Sequence, residues 1–378
     1  MTSAAARTAL DLTAELGLPE LEEFYRDLHR HPELSRQEHR TAGLLVGRLK
    51  GAGFETVEGV GGTGVAGVLR NGDGPVVLLR ADMDALPVQE ATGLPYASET
   101  PGVMHACGHD LHVTWLAGAA RALAEGRDAW SGTLVVVGQP AEETGSGAAA
   151  MVADGLYARV PRPDVLLGQH AAPGPVGLYP HVPGLILSAT TDVEIVVHGR
   201  GGHGSRPETT VDPVLTAAYL VTRLQSVVSR EIAPRESAVL TVGRIEAGTA
   251  PNIIPSTARI SLNLRTQSEA VRDRMVAAIR RIAEVHREVF GEGTVIDPGP
   301  AMGSEDFSRL AADGQPYSFW FVTTTPAATW DAAPGGDDLL ARLDALPSNH
   351  SPHFAPDLSV VGPGVRTLVS AALVHLVR

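Results

Sequence analysis

The segment Val76-Val-Leu-Leu-Arg-Ala-Asp-Met-Asp-Ala-Leu-Pro87 decides the fold class. Its first four residues form a short apolar run, which is typical of a strand buried on both faces of a sheet. Two carboxylates, Asp82 and Asp84, follow this run, and side chains two residues apart in an extended segment point the same way. Both can therefore face one site, although an Asx-turn or an ion pair with Arg80 are structural alternatives.

Apolar runs and helical patterns alternate on both sides of this segment. The predicted helices are Leu21–Arg30, Arg36–Leu49, Leu111–Ala124 and Gly147–Asp154, and the predicted strands are Val65–Leu69, Val76–Leu79, Gly132–Gly138 and Val165–Gly168. The turn Asn71–Gly74 between the first two strands is typical of a hairpin. The alternation indicates an α/β sheet with helices packed on its faces.

The pattern changes from about Thr190, where the order strand, helix, two strands, helix matches most of a ferredoxin-like unit. Its predicted elements are Asp192–Val197, Asp212–Arg230, Ala238–Glu246, Ala258–Arg265 and Glu269–Phe290. The strand Tyr317–Val322 and the helix Val361–Leu376 then return to the first pattern. The sequence predicts a two-domain α/β protein: a catalytic domain of residues 1–188 and 298–378, interrupted by an inserted ferredoxin-like domain of residues 189–297.

Length and charge exclude several functional classes. The 378 residues leave room for two domains, and 30 basic against 43 acidic side chains give a net charge of −13. Without a Lys/Arg cluster, nucleic acid and anionic membranes are not expected partners. The apolar runs are far shorter than the roughly 20 residues of a bilayer crossing, and residues 1–10 lack the apolar block of a secretory signal. We expect a cytoplasmic protein.

The strongest chemical signal is the block Met104–His112. Cys107, the single cysteine, cannot form an internal disulfide, so it is core filler, a nucleophile or a metal ligand. One glycine separates it from His109, which lets a thiolate and an imidazole face the same point, an arrangement that suits zinc or a similar metal. A buried thiol beside Asp110 as a helix N-cap is the structural alternative.

Three other elements carry similar groups. Glu142 and Glu143 follow a predicted strand, and two adjacent carboxylates repel unless a cation or a shared proton offsets the repulsion; solvated charges at a helix start are the alternative. His170 also follows a strand run, and His350 lies in the loop Asn349–Phe354. The convergence of all four elements predicts a metal site.

Together these blocks resemble the M20 family of metallopeptidases, specifically its aminoacylase and amidohydrolase branch, which includes hippurate hydrolases. The resemblance covers nearly the whole chain. Its blocks are His29–Leu34, Arg80–Pro87, Met104–His112, Glu142-Glu143, Gly199–Pro207, Ala250–Pro255, Gly303–Phe307 and Asn349–Phe354. It implies a di-zinc peptidase-type catalytic domain that carries a lid or dimerisation domain, through which a homodimer can form.

The resemblance also implies a role for each matching residue. It assigns the ligands of two divalent ions, with zinc as the first expectation and manganese, cobalt or nickel as alternatives, to Cys107, His109, Glu143, His170 and His350. Cys107 would bridge the ions. The other implied roles are general base for Glu142, orientation of a ligand for Asp84, oxyanion stabilisation for His203, and substrate binding for Asn252 and Arg265. Asp82 stands where other branches of the family have a ligating histidine.

The expected activity is metal-dependent hydrolysis of N-acyl amino acids to a carboxylic acid and an amino acid. A dipeptidase or carboxypeptidase of the same fold, a catalytically silent metal-binding protein and a thiol hydrolase using Cys107 are the alternatives. Glu142 argues against the silent protein, and the convergence of other ligand-type groups argues against the thiol hydrolase. The segment Thr323–Leu346 is longer than the resemblance implies and can reshape the substrate pocket, and Glu208 replaces a histidine usual after the lid proline.

Overall fold

The computed structural model describes residues 4–14, 16–181, 189–226, 238–266, 305–311, 315–336 and 338–376. These residues form two compact units. The first contains a six-stranded mixed sheet and the second a three-stranded sheet, so the predicted two-domain α/β fold is confirmed. The predicted domain boundaries stay predictions, because they lie beside or within segments outside the described residues.

Helices and strands alternate along much of the chain. The first part of the first unit contains α1 Ala4–Leu12, α2 Leu18–Arg30, α3 His39–Gly51, β1 Glu55–Val60, β2 Gly64–Asn71, β3 Val76–Asp82, α4 His109–Glu125, β4 Gly132–Gln139, α5 Gly147–Ala153, α6 Leu156–Arg159 and β5 Val165–Pro175. The second unit contains β6 Ala189–His198, β7 Gly202–His203, α7 Pro213–Ser226, β8 Ala238–Ala247, β9 Ile253–Ile254 and β10 Thr257–Thr266. The chain then returns to the first unit with β11 Tyr317–Thr325, α8 Ala327–Ala332, α9 Leu339–Asp344 and α10 Val361–Leu376.

The large sheet has the strand order β1-β2-β4-β3-β5-β11. Strands β4, β3, β5 and β11 are parallel to one another, whereas β2 runs antiparallel to both of its neighbours, β1 and β4. Because β3 is central, its apolar residues are buried almost completely, as expected for a parallel strand covered on both faces. The carboxyl ends of the parallel strands meet at one edge, which is where ligands bind in sheets of this kind.

The predicted pairing of the strands on either side of Asn71–Gly74 is wrong. Strand β4 lies between β2 and β3, antiparallel to the first and parallel to the second. The Asn71 side-chain amide donates to the carbonyls of Arg127 and Trp130, both at 2.7 Å. Asn71 thereby holds the segment that leads into β4 beside the end of β2, and the turn joins two strands that are not neighbours.

Several predicted boundaries also shift, and the causes of two shifts are visible in the structure. Helix α3 begins at His39 rather than at Arg36, because Arg36 has a left-handed φ of 67°. The Glu33 carboxylate accepts the amides of Arg40 and Thr41, which caps the helix at this later start. Strand β5 continues to Pro175 because β11 pairs with it that far, so His170 lies within the strand rather than after it.

Helices α4 and α10 form the centre of the first unit. The Trp115 indole of α4 donates to the Val360 carbonyl at 3.1 Å, and a Cβ on Gly364 would approach the same ring to 2.1 Å. The stretch Leu358–Leu376 is long and apolar enough to cross a membrane, but 67% of it is buried inside the protein. It is therefore a core helix by its packing.

The second unit is a small antiparallel sheet with the order β6-β10-β8, on which α7 packs. Ala217 of the helix and Ala258 and Ile260 of β10 form the centre of its core. The order is that of the first three strands of a ferredoxin-like unit. The predicted helix Glu269–Phe290 lies outside the described residues.

The described part of the unusual segment Thr323–Leu346 contains the end of β11 and the short helices α8 and α9. The Arg342 guanidinium lies 5.4 Å from the centre of the Trp330 ring, a cation–π distance that ties the two helices together. Its influence on a substrate pocket stays a prediction.

Candidate metal centre

Cys107 lies in the turn directly before α4, and His109 is the first residue of that helix, both at the carboxyl edge of the large sheet. Gly108 between them has a φ of 87°, a left-handed conformation that glycine adopts without a steric penalty. A side chain at this position would also be crowded, because its Cβ would lie 3.0 Å from the Ala171 methyl group. Both flanking side chains are buried.

The five predicted ligands converge at this edge. The Cys107 Sγ lies 3.6 Å from the His170 Nε2. The Glu143 carboxylate lies 3.8 Å from the His109 Nε2 through one oxygen and 3.4 Å from the His350 Nε2 through the other. Donor atoms of Cys107, Glu143 and His350 all lie within 4.8 Å of one another, a separation that one ion or two neighbouring ions can span.

Two buried atoms of this cluster lack a hydrogen-bond partner among the described residues, the His109 Nε2 and the Glu143 Oε1. The other nitrogen of His109, Nδ1, donates to the Asp84 carbonyl at 2.8 Å, which leaves Nε2 for a further partner. Unpaired buried polar atoms are rare and need an explanation. A thiol, imidazoles and a carboxylate are the donor set that zinc takes in proteins, so these residues fit a divalent cation.

The electrostatics of the cluster are consistent with a cation. Burial raises the pKa of Glu143 to about 7, His109 opposes this rise, and the Asp84 and Asp82 charges add to it. Burial also raises the pKa of the Cys107 thiol. Both groups must be ionised to bind a metal, and a bound cation stabilises their ionised forms.

Asp84 connects His109 to the two glutamates. Its carboxylate accepts the amides of Glu142 and Glu143, each at 3.1 Å, and the Ser35 hydroxyl at 2.6 Å. Burial alone would raise the pKa of Asp84, but the bond from His109 and its charge hold it below the usual value. The Asp84 carbonyl therefore holds the His109 imidazole, and the Asp84 carboxylate holds the turn that carries the two glutamates.

Asp82 is engaged by other side chains. It accepts from the Arg80 guanidinium at 2.8 Å and from the His112 Nδ1 at 2.5 Å. Burial opposes its ionisation, but Arg80 and the imidazoles of His109 and His112 hold the pKa of Asp82 well below its usual range. The sequence analysis gave an ion pair with Arg80 as the structural alternative to a role in the site, and this ion pair is present in the structure.

The sequence pattern indicated no role for His112, although this residue ends the block that carries Cys107 and His109. The His112 Nε2 accepts the amide of Ala171 at 2.8 Å, so both ring nitrogens are occupied by protein groups. Its partners lie on β3 and β5, and no local spacing reveals them. His112 therefore fixes the strand that carries His170.

The sequence pattern also indicated no role for Asn349. Its side-chain amide donates to the carbonyls of Cys107 and Ala171, each at 3.1 Å. The next residue, His350, has a left-handed φ of 70° and donates its amide to the Ala106 carbonyl at 2.7 Å. These bonds fix the His350 loop against the Cys107 turn.

A buried polar network, also missed, lies beneath the glutamates. The Arg80 Nε donates to the Gln139 side-chain oxygen at 2.9 Å, and Gln139 donates to Asp306 at 2.5 Å. Asp306 in turn accepts the Ala148 amide at 3.0 Å. The end of β4 and the start of α5 are thus tied to one buried ionic cluster.

The remaining predicted site residues, His203, Asn252 and Arg265, lie in the second unit. His203 pairs with Ile253 in the β7–β9 ribbon, and Gly204 donates its amide to the Asn252 carbonyl at 2.8 Å, so His203 and Asn252 are neighbours. Both are exposed, and the His203 Nδ1 accepts the Ser205 amide at 3.1 Å. The backbone of Arg265 lies in β10 opposite Thr190, and its side chain lies outside the described part.

Comparisons with known proteins agree with this arrangement. Residues 78–335 match the sequence model of Peptidase family M20/M25/M40. The hippurate hydrolase of Campylobacter jejuni is 39% identical over 324 residues, which cover 76% of this chain and 84% of the relative. An N-acetyl-L-cysteine deacetylase of Bacillus subtilis is 35% identical over 341 residues, which cover 81% of this chain and 80% of the relative.

The fold is similar to that of solved structures as well. A crystal structure of a Bacillus subtilis protein described as a dinuclear metal binding peptidase from the M20 family has a TM-score of 0.71 and 27% sequence identity, and the match covers 94% of this chain and 97% of that chain.

Proposed function

This chain belongs to peptidase family M20/M25/M40 and is an amidohydrolase, and we propose that its substrates are N-acyl amino acids. It would cleave their amide bond with the help of two divalent metal ions, giving a carboxylic acid and an amino acid. Two relatives are named for N-acyl amino acids, hippurate and N-acetyl-L-cysteine. A cytoplasmic location is part of the same proposal.

The observation that carries the proposal is the pair of buried atoms on His109 and Glu143 that lack a partner in the described part of the chain, surrounded by further ligand-type groups. The ions would be held by Cys107, His109, Glu143, His170 and His350. The sulfur and imidazole donors favour zinc, with manganese, cobalt or nickel as alternatives. When bound, such ions lower the pKa of a water molecule and polarise the scissile carbonyl.

Glu142 is the proposed general base. Its amide is held by Asp84 at 3.1 Å, and its carboxylate lies 3.9 Å from the His109 Nε2, which supports a position beside the ligands. There it would accept the proton of the attacking water and donate it to the leaving nitrogen, a role that requires a carboxylate within reach of both. Asp84 would orient His109 and hold the glutamate turn.

Further roles are proposed for residues of the second unit. We assign oxyanion stabilisation to His203, which presents an exposed imidazole on β7, and contacts with the substrate carbonyl or carboxylate to Asn252 and Arg265. Preorganised donors aimed at a developing oxyanion lower the barrier of acyl transfer. A homodimer through this unit belongs to the same proposal, and light scattering on the purified protein tests it.

A thiol hydrolase using Cys107 is disfavoured by the burial of that side chain. Burial raises the pKa of the thiol, and the thiolate is the nucleophilic form. The Cys107 Sγ lies 3.6 Å from the His170 Nε2, and the His170 Nδ1 donates to the Ala171 carbonyl. The hydrogen bond and charge of His109 oppose this effect of burial but do not offset it, so the pKa of the thiol stays above its usual value in the absence of a cation.

The experiment is release of amino acid from acetyl-, benzoyl- and aminoacyl-amino acids by protein loaded with zinc, manganese, cobalt or nickel. Turnover of acetyl or benzoyl substrates is expected, with loss after dialysis against EDTA and recovery when metal is restored. Preference for substrates with a free amine would identify a dipeptidase. Activity that survives EDTA would support the thiol hydrolase, and metal binding without turnover would support a silent protein.

A further inference from the structure

Glu38 is fully buried and immediately precedes α3. An acidic residue at this position usually accepts amides of the first helical turn. Here the Glu33 carboxylate accepts the amides of Arg40 and Thr41 instead, and Glu38 makes no capping bond. The Glu38 side chain is thus available for a partner outside its own helix.

That partner is the turn that precedes Glu142. The Glu38 Oε1 accepts the Ala141 amide at 2.8 Å, across 103 residues of sequence, and also the Arg36 amide at 2.9 Å in its own loop, and its Oε2 accepts the Thr63 hydroxyl. Ala141 has a φ of 50°, in the left-handed region that a residue with a Cβ adopts only against a steric penalty. The Glu38 bond is made by the amide of this strained residue.

Asp84 accepts the next two amides of the same turn, those of Glu142 and Glu143. Three successive N–H groups are therefore bound by two buried carboxylates. The loop before α3 supplies Glu38 and also contacts Asp84, because the Ser35 hydroxyl donates to the Asp84 carboxylate at 2.6 Å. Asp84 holds the amides of both glutamates, including that of the proposed ligand Glu143, and Glu38 holds Ala141, the residue that leads into Glu142.

We propose that Glu38 is a positioning residue: it keeps Ala141 in the left-handed conformation and thereby aims the Glu142 carboxylate. The proposal rests on the proposed function, because the aim of Glu142 affects turnover only if that carboxylate handles the proton. Because Glu38 would act through the backbone of Ala141, the proposal predicts that its removal lowers kcat and leaves the metal ligands in place. A displacement of about 1 Å in a catalytic group can lower a rate on the order of 100-fold.

The first test compares Glu38→Ala with Glu38→Gln. The alanine variant is expected to lose kcat on the order of 100-fold, with the KM and the metal content of the wild type. The glutamine variant should regain most of the wild-type kcat, since its side-chain oxygen can still accept the Ala141 amide. If Glu38→Ala does not fold, Glu38→Asp replaces it, because the shorter carboxylate cannot reach both Thr63 and Ala141.

The second test adds Ala141→Gly, which allows a positive φ without the steric penalty. The double variant Glu38→Ala/Ala141→Gly is expected to turn over faster than Glu38→Ala alone. If Glu38 served only the stability of the fold, Ala141→Gly would raise the melting temperature by relieving the positive φ but would leave the kcat of the folded protein unchanged. Absence of recovery would overturn the proposal.

Glu33→Gln is the matched control, because Glu33 lies in the same loop and caps α3 without contacting the turn. It is expected to lower the melting temperature and to leave kcat unchanged. A readout independent of activity is the crystal structure of metal-free Glu38→Ala, where φ of Ala141 should become negative. A positive φ there would overturn the proposal, whereas an inactive wild-type protein would refute the proposed function and leave this structural test intact.

Discussion

His109 and Asp110 are neighbours in the first turn of α4 and both are buried, yet they belong to two different polar clusters. Asp110 accepts from the His29 Nδ1 at 2.6 Å and from the Leu111 amide at 2.8 Å, and the His29 Nε2 contacts Glu90 at 3.3 Å. Both ring nitrogens of His29 therefore have protein partners. The His109 Nε2, by contrast, has no hydrogen-bond partner among the described residues.

The two clusters also differ in charge balance. Burial opposes a charge on His29, but Asp110 and Glu90 raise its pKa to about 9, so an imidazolium lies between two carboxylates. Around His109 lie two aspartates, two glutamates and a thiol, an acidic set that suits a bound cation. The difference favours a structural role for the His29 cluster and supports the proposed role of the His109 cluster in binding cations.

The largest expected effect is on the catalytic side of this comparison. Glu142→Gln removes the proposed base but no proposed ligand, so turnover should fall by about 10²–10⁴-fold while metal content stays at the wild-type value. Steady-state rates and elemental analysis of the same preparation measure both quantities. A near-wild-type rate would remove Glu142 from the role of base.

Cys107→Ala should instead change metal content. It removes the proposed bridging sulfur, so elemental analysis should find fewer ions per chain, and added zinc should raise the melting temperature less than in the wild type. The His29 cluster should be unaffected, which a preserved circular dichroism spectrum would indicate. Unchanged stoichiometry would contradict ligation by Cys107.

The His29 cluster should affect stability and its pH dependence. The folded pKa of about 9 exceeds the unfolded value of roughly 6.5, so the stabilisation is complete below the unfolded pKa and is lost as the pH rises through the folded pKa. The corresponding free energy is on the order of 3 kcal/mol. Urea unfolding of wild type and His29→Gln, measured between these pH values and beyond, isolates this contribution.

The control for that experiment is turnover of metal-loaded His29→Gln at neutral pH, which should stay near the wild-type rate. A stability difference that does not shrink as the pH rises would show that His29 is neutral in the folded protein. A large loss of metal would show that the two clusters are not separate.

Asn349→Ala should have the smallest effect, because this side chain holds the His350 loop without serving as a proposed ligand. Loss of its bonds to the carbonyls of Cys107 and Ala171 is expected to weaken metal binding about tenfold, measured by competition with a chromogenic chelator. Ser351→Ala is the matched control, since the Ser351 hydroxyl accepts from His353 within the same loop. Equal affinities in the two variants would rule out positioning by Asn349.

The sequence predicted the parts of the site that depend on local patterns. Apolar runs followed by polar residues indicated β3 and β4 and hence the places of Asp82 and Glu142, although β3 extends to Asp82 itself. The spacing around Gly108 indicated that Cys107 and His109 share a turn. These features are encoded within a few residues of the chain.

Other features depend on partners distant in sequence. The pair Glu38–Ala141 spans 103 residues and the pair His29–Asp110 spans 81, so no local spacing reveals either one. The wrong hairpin at Asn71 has the same origin, since the strand that separates β2 from β3 lies far along the chain, beginning at Gly132. His105 is buried with both ring nitrogens unpartnered, and nothing in the described part of the chain explains it.

The most direct test is a titration of EDTA-treated protein with Co²⁺, followed by absorption of the thiolate-to-metal charge-transfer band. We expect the spectrum to saturate at two ions per chain, with a sulfur band that is absent from Cys107→Ala. Saturation without a sulfur band, or no binding of Co²⁺ at all, would contradict a centre in which Cys107, three histidines and Glu143 hold a pair of cations.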